Sequence, residues 1–245
     1  MENTPEVLVV VDNDMAYGIQ HGFYENAMPA QGCKVMSIDE FNASQLFASS
    51  APTLNGKDIY ILNPYVKDTY ICIEDANLEK DMIDNRAFAV REALVMMGAK
   101  DISLVENISD NSEEQTNVNI DAKVGVFASG NVQVKNAEAL SINIKSHIES
   151  HDENRQPHTA EKVYEYLRTH GLSSDTNLIL LAQRLERDGR LCGTEAVHVT
   201  FCSEIKSALN ILSSFNYKIF NSELDIERKK SNVHTIEKTL KVNFG

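Results

Sequence analysis

The sequence predicts an α+β protein whose two halves differ in architecture. The first half alternates strand-like and helix-like segments at short spacing, which predicts a mostly parallel sheet with helices on its faces. The second half contains long stretches in which every other residue is apolar, which predicts antiparallel β-hairpins with one face toward a core. A pair of helices is inserted between those hairpins. We therefore expect two domains, at residues 1–108 and 113–245.

The strands of the first half are predicted from short apolar runs bounded by polar residues. Residues Val7–Val11 are continuously apolar and β-branched, as in a strand that is buried on both faces. The first helix is expected from a cap at Asp14 through Met28, and the clearest helix starts after Asn77 and ends before Gly98. Together these segments predict a Rossmann-like α/β portion over residues 1–108. The other expected segments are strands at 34–39, 58–63, 69–74 and 101–105, and a short helix at 41–48.

A polar stretch at residues 107–117 separates the two halves, and an amphipathic ribbon follows it. From Val118 to Ile144 almost every even-numbered residue is apolar. A three-residue loop at 129–131 places the apolar side chains on a single face of a hairpin, whereas a two-residue loop would place them opposite polar ones. We expect this ribbon to lie against a core, with another chain or a lipid bilayer as the alternatives.

The remaining segments of the second half alternate between helices and strands. Helices are expected at about 159–188, as a pair ended by Gly171 and Gly189, since glycine suits a helix C-terminus. A strand is expected at 195–201 and a second hairpin over Lys218–Phe244. Residues 203–215 fit a helix or a strand, because periodicity does not decide so short a run.

Composition limits the classes of function that the chain can serve. The 23 basic and 36 acidic residues give a formal charge of -13, which repels phosphate and makes nucleic acid an unfavourable partner. No stretch reaches the ~18 uninterrupted apolar residues of a membrane-spanning helix. The N-terminus lacks the basic segment of a secretory signal, and the four cysteines show no CxxC spacing. We therefore expect a cytoplasmic protein with reduced thiols.

Carboxylates follow several strands of the first half and form the main predicted ligand site. Asp12, Asp14, Asp39 and Asp75 lie at or just after the predicted strand ends, where open parallel sheets gather ligands. Such oxygens suit a small ligand or Mg²⁺, and no other cofactor is indicated. The spacing of Asp12 and Asp14 resembles the phosphotransfer motif of the haloacid dehalogenase family. That resemblance implies a Mg²⁺-dependent phosphohydrolase or phosphotransferase, although the third strand ends in Asn63 where the family has serine or threonine.

The densest histidine group of the chain follows the ribbon. His147 and His151 have the HxxxH spacing that puts two imidazoles on one face of a helix, and Asp152 adds a carboxylate. These three residues are the candidates for metal ligands in the second half, and no metal site is predicted from them. The segment gives way to a loop that contains proline, however, so we favour a solvated polar connection over a metal site.

An acidic chain without a complete catalytic motif favours a non-enzymatic binding or assembly protein, whose partner is a second copy or another protein. Long edge strands without proline invite pairing with another chain. A pore-forming protein is the alternative, because two amphipathic hairpins separated by helices are similar to the plan of gasdermins. Such a protein would contact a membrane only after a conformational change. The dense charges of residues 223–230 are unfavourable for a lipid face.

Overall fold

The computed structural model of the chain describes residues 4–24, 29–53, 57–105, 144–214, 233 and 235–245. It confirms the α+β class, with parallel strand pairs in one sheet and an antiparallel second sheet. The chain divides into two compact units, the first formed by Met1–Asp81 with Cys202–Val233 and the second by Met82–Phe201 with His234–Gly245. The predicted boundary at residues 108–113 lies outside the described residues.

The secondary-structure elements follow the predicted order of strand and helix in most places. The strands are β1 Val7–Val11, β2 Cys33–Ser37, β3 Phe47–Ala48, β4 Asp58–Asn63, β5 Thr69–Cys72, β6 Asp101–Leu104, β7 Ser150–His151, β8 Thr194–Phe201 and β9 Ile236–Asn243. The labelled helices are α1 Asn13–Gln20, α2 Ile38–Ala43, α3 Leu78–Met96, α4 Ala160–Thr169, α5 Thr176–Asp188 and α6 Ser203–Ser214. The open choice at residues 203–215 is thus decided in favour of a helix.

The first unit is built on a five-stranded sheet in the order β2-β1-β4-β5-β3. β1 pairs in parallel with β2, as the alternation of strand and helix predicts, and the unpredicted strand β3 pairs in parallel with β5. β4 runs antiparallel to both of its neighbours, β1 and β5. Only residues 64–68 join β4 to β5, which is too short for the crossover that a parallel pair needs. The sheet is therefore mixed, where the alternation predicts a mostly parallel one.

The first helix differs from its predicted position at both ends. The Asp12 side chain caps α1 by accepting a hydrogen bond from the Met15 amide at 2.8 Å. The predicted cap, Asp14, instead lies in the first helical turn. The helix ends at Gln20 because Gly22 adopts a φ of 73° and reverses the chain.

The second strand ends earlier than predicted because a capping box starts a helix there. The Ser37 hydroxyl accepts from the Glu40 amide at 3.1 Å, and the Glu40 carboxylate accepts from the Ser37 amide at 2.9 Å. Asp39 therefore lies in the first turn of α2 rather than at a strand end. The helix predicted at 41–48 is displaced in the same way, since α2 starts at residue 38 and residues 47 and 48 form β3.

The core of the first unit surrounds β1, whose five residues are each at most 1% exposed. On one face, Leu8 and Val10 pack with Tyr60 and Tyr70. The Phe41 ring from α2 stacks on Tyr60 with ring centroids 5.2 Å apart. α6 also contacts β1. The buried residues of α6 are Ile205, Ala208, Leu209 and Leu212.

The second unit contains a four-stranded antiparallel sheet in the order β7-β6-β9-β8. β9 is hydrogen-bonded on both edges, to β6 over residues 240–243 and to β8 over residues 236–243. The hairpin predicted over Lys218–Phe244 needs one of those edges for its first arm, so its pairing at 240–243 is wrong. The first arm itself, residues 218–230, lies outside the described residues.

The amphipathic ribbon from Val118 lies outside the described residues, except for its end. Residues 144–148 are helical, which corrects the predicted strand at that point. Ile144 and Ile148 are both fully buried. A spacing of four residues places side chains on one face of either a helix or a strand, so the pattern there fits both periods.

In the second unit, helix α5 contacts strand β8. β8 alternates in exposure, with Val197, Val199 and Phe201 buried. Arg86 of α3 forms an ion pair with Asp175, the N-cap of α5, at 3.1 Å. Both side chains are less than 9% exposed, so this pair joins two helices inside the unit. No helix in the described ranges is long and apolar enough to cross a membrane.

Candidate functional site

The adjacent, parallel ends of β1 and β2 bring two of the predicted site segments together. The Asn13 side-chain amide donates to the Asp39 carboxylate, and the Asp39 backbone amide donates to Asn13 Oδ1 at 3.5 Å. Asp12 directs its carboxylate at the α1 N-terminus as a cap, while Asp14 is exposed. Asp39 is therefore joined to this segment through Asn13, and not through Asp12 or Asp14. Sequence reasoning missed Asn13, although it stands between the two aspartates.

Two more carboxylates lie at this edge of the sheet: Asp75, which the sequence predicted, and Asp58, which it did not. Asp75 lies further from Asp12 than Asp39 does. Asp75 follows β5, which is separated from β1 by β4, so it lies roughly 10 Å, or two strand spacings, along the edge. Its carboxylate accepts from the Asn77 amide at 2.9 Å. Asp58 begins β4 and pairs in register with Val10, which puts it at the same edge. The signal for Asp58 was the short connection after β4, which implies an antiparallel strand.

These carboxylates do not form a group of metal ligands. Across the residues that the structure describes, no set of three histidine, cysteine, aspartate or glutamate side chains is arranged to hold a metal ion. Asp58 instead accepts from the amide and the hydroxyl of Thr53, at 2.8 and 3.0 Å. Together with the cap at Asp12 and the bond from Asn13 to Asp39, such contacts fix helix starts and turns.

The orientation of β4 opposes the phosphotransfer interpretation. That chemistry needs the residue after the third strand at the same edge as Asp12. In the antiparallel register Ile61 pairs with Val7, the first residue of β1, so Asn63 lies at the opposite edge of the sheet. Asn63 is 1% exposed, and its Oδ1 accepts from the Tyr65 amide at 3.2 Å. Asn63 therefore stabilises a turn.

The predicted histidine ligands do not share a helical face. His147 lies in the helical turn before β7, and its Nε2 is 3.8 Å from Asp84 Oδ1. His151 lies in β7, where its Nδ1 is 3.3 Å from Asp101 Oδ1. Asp152 follows in the chain without completing a ligand set in the described part of the molecule. The HxxxH spacing is therefore not realised on one helix.

Cysteine nucleophiles are not indicated in the first unit. Burial raises the pKa of the Cys33 thiol to about 12, so its thiolate is not populated near neutral pH. Cys72 and Cys202 are buried, and Cys192 is exposed. All four thiols are free in the structure.

The outer side of β8 is a row of outward-directed backbone groups. Val105 donates to the Thr239 carbonyl at 2.9 Å from the β6 side, so the backbone groups of Thr239 point away from β8. The register partner of Thr239 on β8 is His198, which therefore directs its amide and carbonyl away from β9. Ala196 and Thr200 do the same, because the direction alternates along an antiparallel ladder.

One side chain covers part of this edge. The Asn177 side-chain amide, in the first turn of α5, donates to the His198 carbonyl at 3.0 Å. Within the ranges that the structure describes, the other outward backbone groups of residues 196–200 have no hydrogen-bond partner. The strand contains no proline, and its single carboxylate, Glu195, accepts from Arg184 at 2.7 Å. The edge therefore presents unused donors and acceptors with little local charge.

The β8 edge was missed because edge position depends on pairing that is distant in sequence. The predicted strand at 195–201 is confirmed, but its neighbours were not predictable from local pattern. Two places thus stand out among the described residues: the carboxylate edge near Asp12 and the outer side of β8. No protein-family model, no curated protein and no solved structure matches the chain.

Proposed function

We propose that this protein is a non-enzymatic assembly protein of the cytosol that associates with a second copy of itself through the outer side of β8. The observation that carries the proposal is the outer edge of β8, an eight-residue strand without proline that pairs with no second strand among the described residues. An extended chain can add to such an edge by main-chain hydrogen bonds, and many proteins associate in this way. Self-pairing needs no partner beyond the strand itself.

The sequence of β8 is compatible with its own antiparallel copy. A two-fold axis at Val197 pairs the outward groups of Ala196 with those of His198 in the other copy, and Thr194 with Thr200. Cross-strand threonine pairs are favourable, and no like charges face each other. A two-fold axis at His198 would instead place two imidazoles opposite each other. The register centred on Val197 is therefore the one we propose.

The charge of the chain sets the conditions under which this association forms. Each copy carries a formal charge of -13, so two copies repel at long range. Salt screens this repulsion over about 8 Å at physiological ionic strength, while the main-chain hydrogen bonds are short-ranged. We therefore expect weak self-association that becomes stronger as salt is raised from low concentration.

The decisive experiment removes one outward donor while leaving the ladder to β9 intact. Ala196→Pro eliminates an amide that points outward, and proline is tolerated on the free side of an edge strand. Sedimentation equilibrium at high protein concentration should show a dimer for the unmodified chain and a monomer for Ala196→Pro. Ala196→Thr keeps the amide and serves as the matched control, which should still associate. A strict monomer for the unmodified chain, or a proline variant that dimerises equally, would refute the proposal.

The small-ligand site and the pore-forming activity that the sequence suggests can each be tested separately. A small-ligand crevice at Asp12, Asp14, Asp39 and Asp75 predicts that Mg²⁺ shifts the amide resonances around Asn13, and that Asp39→Asn removes the shift. Pore formation by the amphipathic hairpins predicts leakage from loaded liposomes after exposure to the protein. Intact vesicles would remove that alternative.

A further inference from the structure

Three aromatic rings form an exposed cluster on α1 and the turn that follows it, in the first unit. The rings of Tyr17 and His21 stack with centroids 3.9 Å apart, and the Phe23 ring lies 5.9 Å from Tyr17 and 6.2 Å from His21. Tyr17 is 55% exposed and Phe23 is 70% exposed. We refer to these three residues as the aromatic cluster. A contiguous exposed aromatic surface marks an interaction site more often than a single exposed ring does.

The local backbone holds the aromatic cluster in place. The left-handed conformation of Gly22 ends α1, and the Phe23 amide donates to the Gly18 carbonyl at 2.8 Å. This reversal brings Phe23 back beside His21. The next ring, Tyr24, packs so closely on Gly18 that a Cβ atom at that position would clash with it. The helix ending therefore presents the rings in a defined geometry.

The cluster lies in a segment that carries only negative charge. Residues 1–33 contain no lysine or arginine, and they contain five carboxylates. Asp14 precedes Tyr17 by three residues and His21 by seven, so the three side chains share one face of α1. Asp14 is exposed. A carboxylate therefore stands one helical turn from the stacked rings. The five carboxylates are Glu2, Glu6, Asp12, Asp14 and Glu25.

We infer that the aromatic cluster with Asp14 is the docking surface for an arginine-bearing peptide segment of a partner protein. A guanidinium lies favourably over the face of a tyrosine or phenylalanine ring, and Asp14 supplies an ion pair beside it. The charge of -13 attracts a basic partner at long range. The same charge disfavours nucleic acid and anionic membranes, so a basic peptide is the occupant that the charges select.

The chain itself contains an example of the contact that we invoke. In the second unit, the Arg91 guanidinium lies over the Phe88 ring with its carbon 4.9 Å from the ring centroid. Phe88 is 50% exposed, which is close to the value for Tyr17. One exposed ring of this protein is thus already paired with an arginine. The segment that contains the aromatic cluster, residues 1–33, has no lysine or arginine that could pair with its rings in this way.

The test uses a fluorescently labelled peptide of alternating arginine and glycine, with anisotropy as the readout. The same peptide with citrulline in place of arginine keeps the shape and removes the charge. We expect the full-length protein to bind the arginine peptide and to bind the citrulline peptide much more weakly. Tyr17→Ala and Phe23→Ala should each weaken binding roughly two- to fivefold, and Asp14→Asn about twofold.

Matched variants separate recognition from general surface effects. Phe47 belongs to the same unit and is 70% exposed outside the cluster, so Phe47→Ala should leave the affinity unchanged. Tyr17→Phe keeps the ring and should bind nearly as well as the unmodified chain. Circular dichroism establishes that each variant is folded. Equal binding of the citrulline peptide, or unchanged affinity in both alanine variants of the cluster, would overturn the inference.

Discussion

The strands β1 and β8 show how differently two strands of one molecule can be used. β1 is paired on both edges, to β2 and β4, and every residue in it is at most 1% exposed. β8 is paired with β9 on one edge, and its exposure alternates along the strand. A strand that is covered on both faces and both edges has no surface left for recognition. A strand with one free edge keeps main-chain groups that can bind another chain.

We therefore expect β1 to matter mainly for the stability of the first unit, and β8 to matter mainly for association through the second unit. Burial of apolar surface is the dominant favourable term in folding, and the apolar side chains of β1 are fully buried. Within the described residues, the outer side of β8 pairs with no other strand, so we expect it to contribute little to the stability of the fold. Substitutions at the two strands should therefore affect different measurements.

The largest expected effect is on stability, from truncation in β1. Leu8→Ala removes a buried side chain that packs with Tyr60 and Tyr70, and we expect a loss of about 2–5 kcal/mol in the free energy of unfolding. Thr194→Ala on β8 is the comparison, because Thr194 is exposed, and its effect should stay within about 0.5 kcal/mol. Urea denaturation measures both. Equal losses would contradict the contrast between the strands.

A second prediction concerns alkaline pH, which should weaken the first unit. Burial is the main cause that raises the pKa of Tyr60 and of Tyr70 to about 12, from an ordinary value of 10, and it raises that of Cys33 to about 12. The folded state therefore holds these protons over a range in which the unfolded chain has released them. Their contribution to stability is complete below about pH 9–10 and is lost as the pH rises toward 12.

Among its described residues, the second unit offers fewer such groups, and this allows a direct comparison. Burial, with a smaller effect of Glu92, raises the pKa of Tyr166 there to about 12. Hydrogen exchange between pH 9 and 11, corrected for the intrinsic rate, should show a steeper loss of protection in β1 than in β9. Tyr70→Phe removes one titrating group and the hydrogen bond to the Pro5 carbonyl, so it should flatten the slope for β1 while lowering stability at neutral pH. An unchanged slope in that variant would contradict the assignment.

The elements that follow local rules were predictable from sequence. The continuous apolar run correctly predicted β1. Apolar residues spaced three and four positions apart correctly predicted α3, with its end near Gly98. The serine and glutamate of the capping box, Ser37 and Glu40, have the spacing that predicts a helix start. The apolar residues beside Ser37 nevertheless led to a strand prediction that extends through Asp39. Local pattern therefore located most elements and misplaced some ends.

The features that depend on distant pairing were not predictable in this way. A strand's own residues do not say which neighbours it will have, so neither the interior position of β9 nor the edge position of β8 in the described sheet could be predicted. The same limit applied to the carboxylates, because the antiparallel direction of β4 moved Asn63 away from Asp12 and brought Asp58 to their edge. The helical residues 144–148 show the third limit, since a spacing of four fits both a helix and a strand.

The smallest predicted effect concerns the side chain that partly covers the β8 edge. Asn177 donates to the His198 carbonyl, which in the proposed dimer accepts from Ala196 of the other copy, so the two interactions compete. Asn177→Ala frees that carbonyl, and we expect self-association to become roughly two- to tenfold tighter, the equivalent of one hydrogen bond. Thr176→Ala, at the neighbouring exposed position, is the control and should leave the dimer affinity unchanged. Weaker association of the Asn177 variant would mean that the amide supports the edge rather than blocking it.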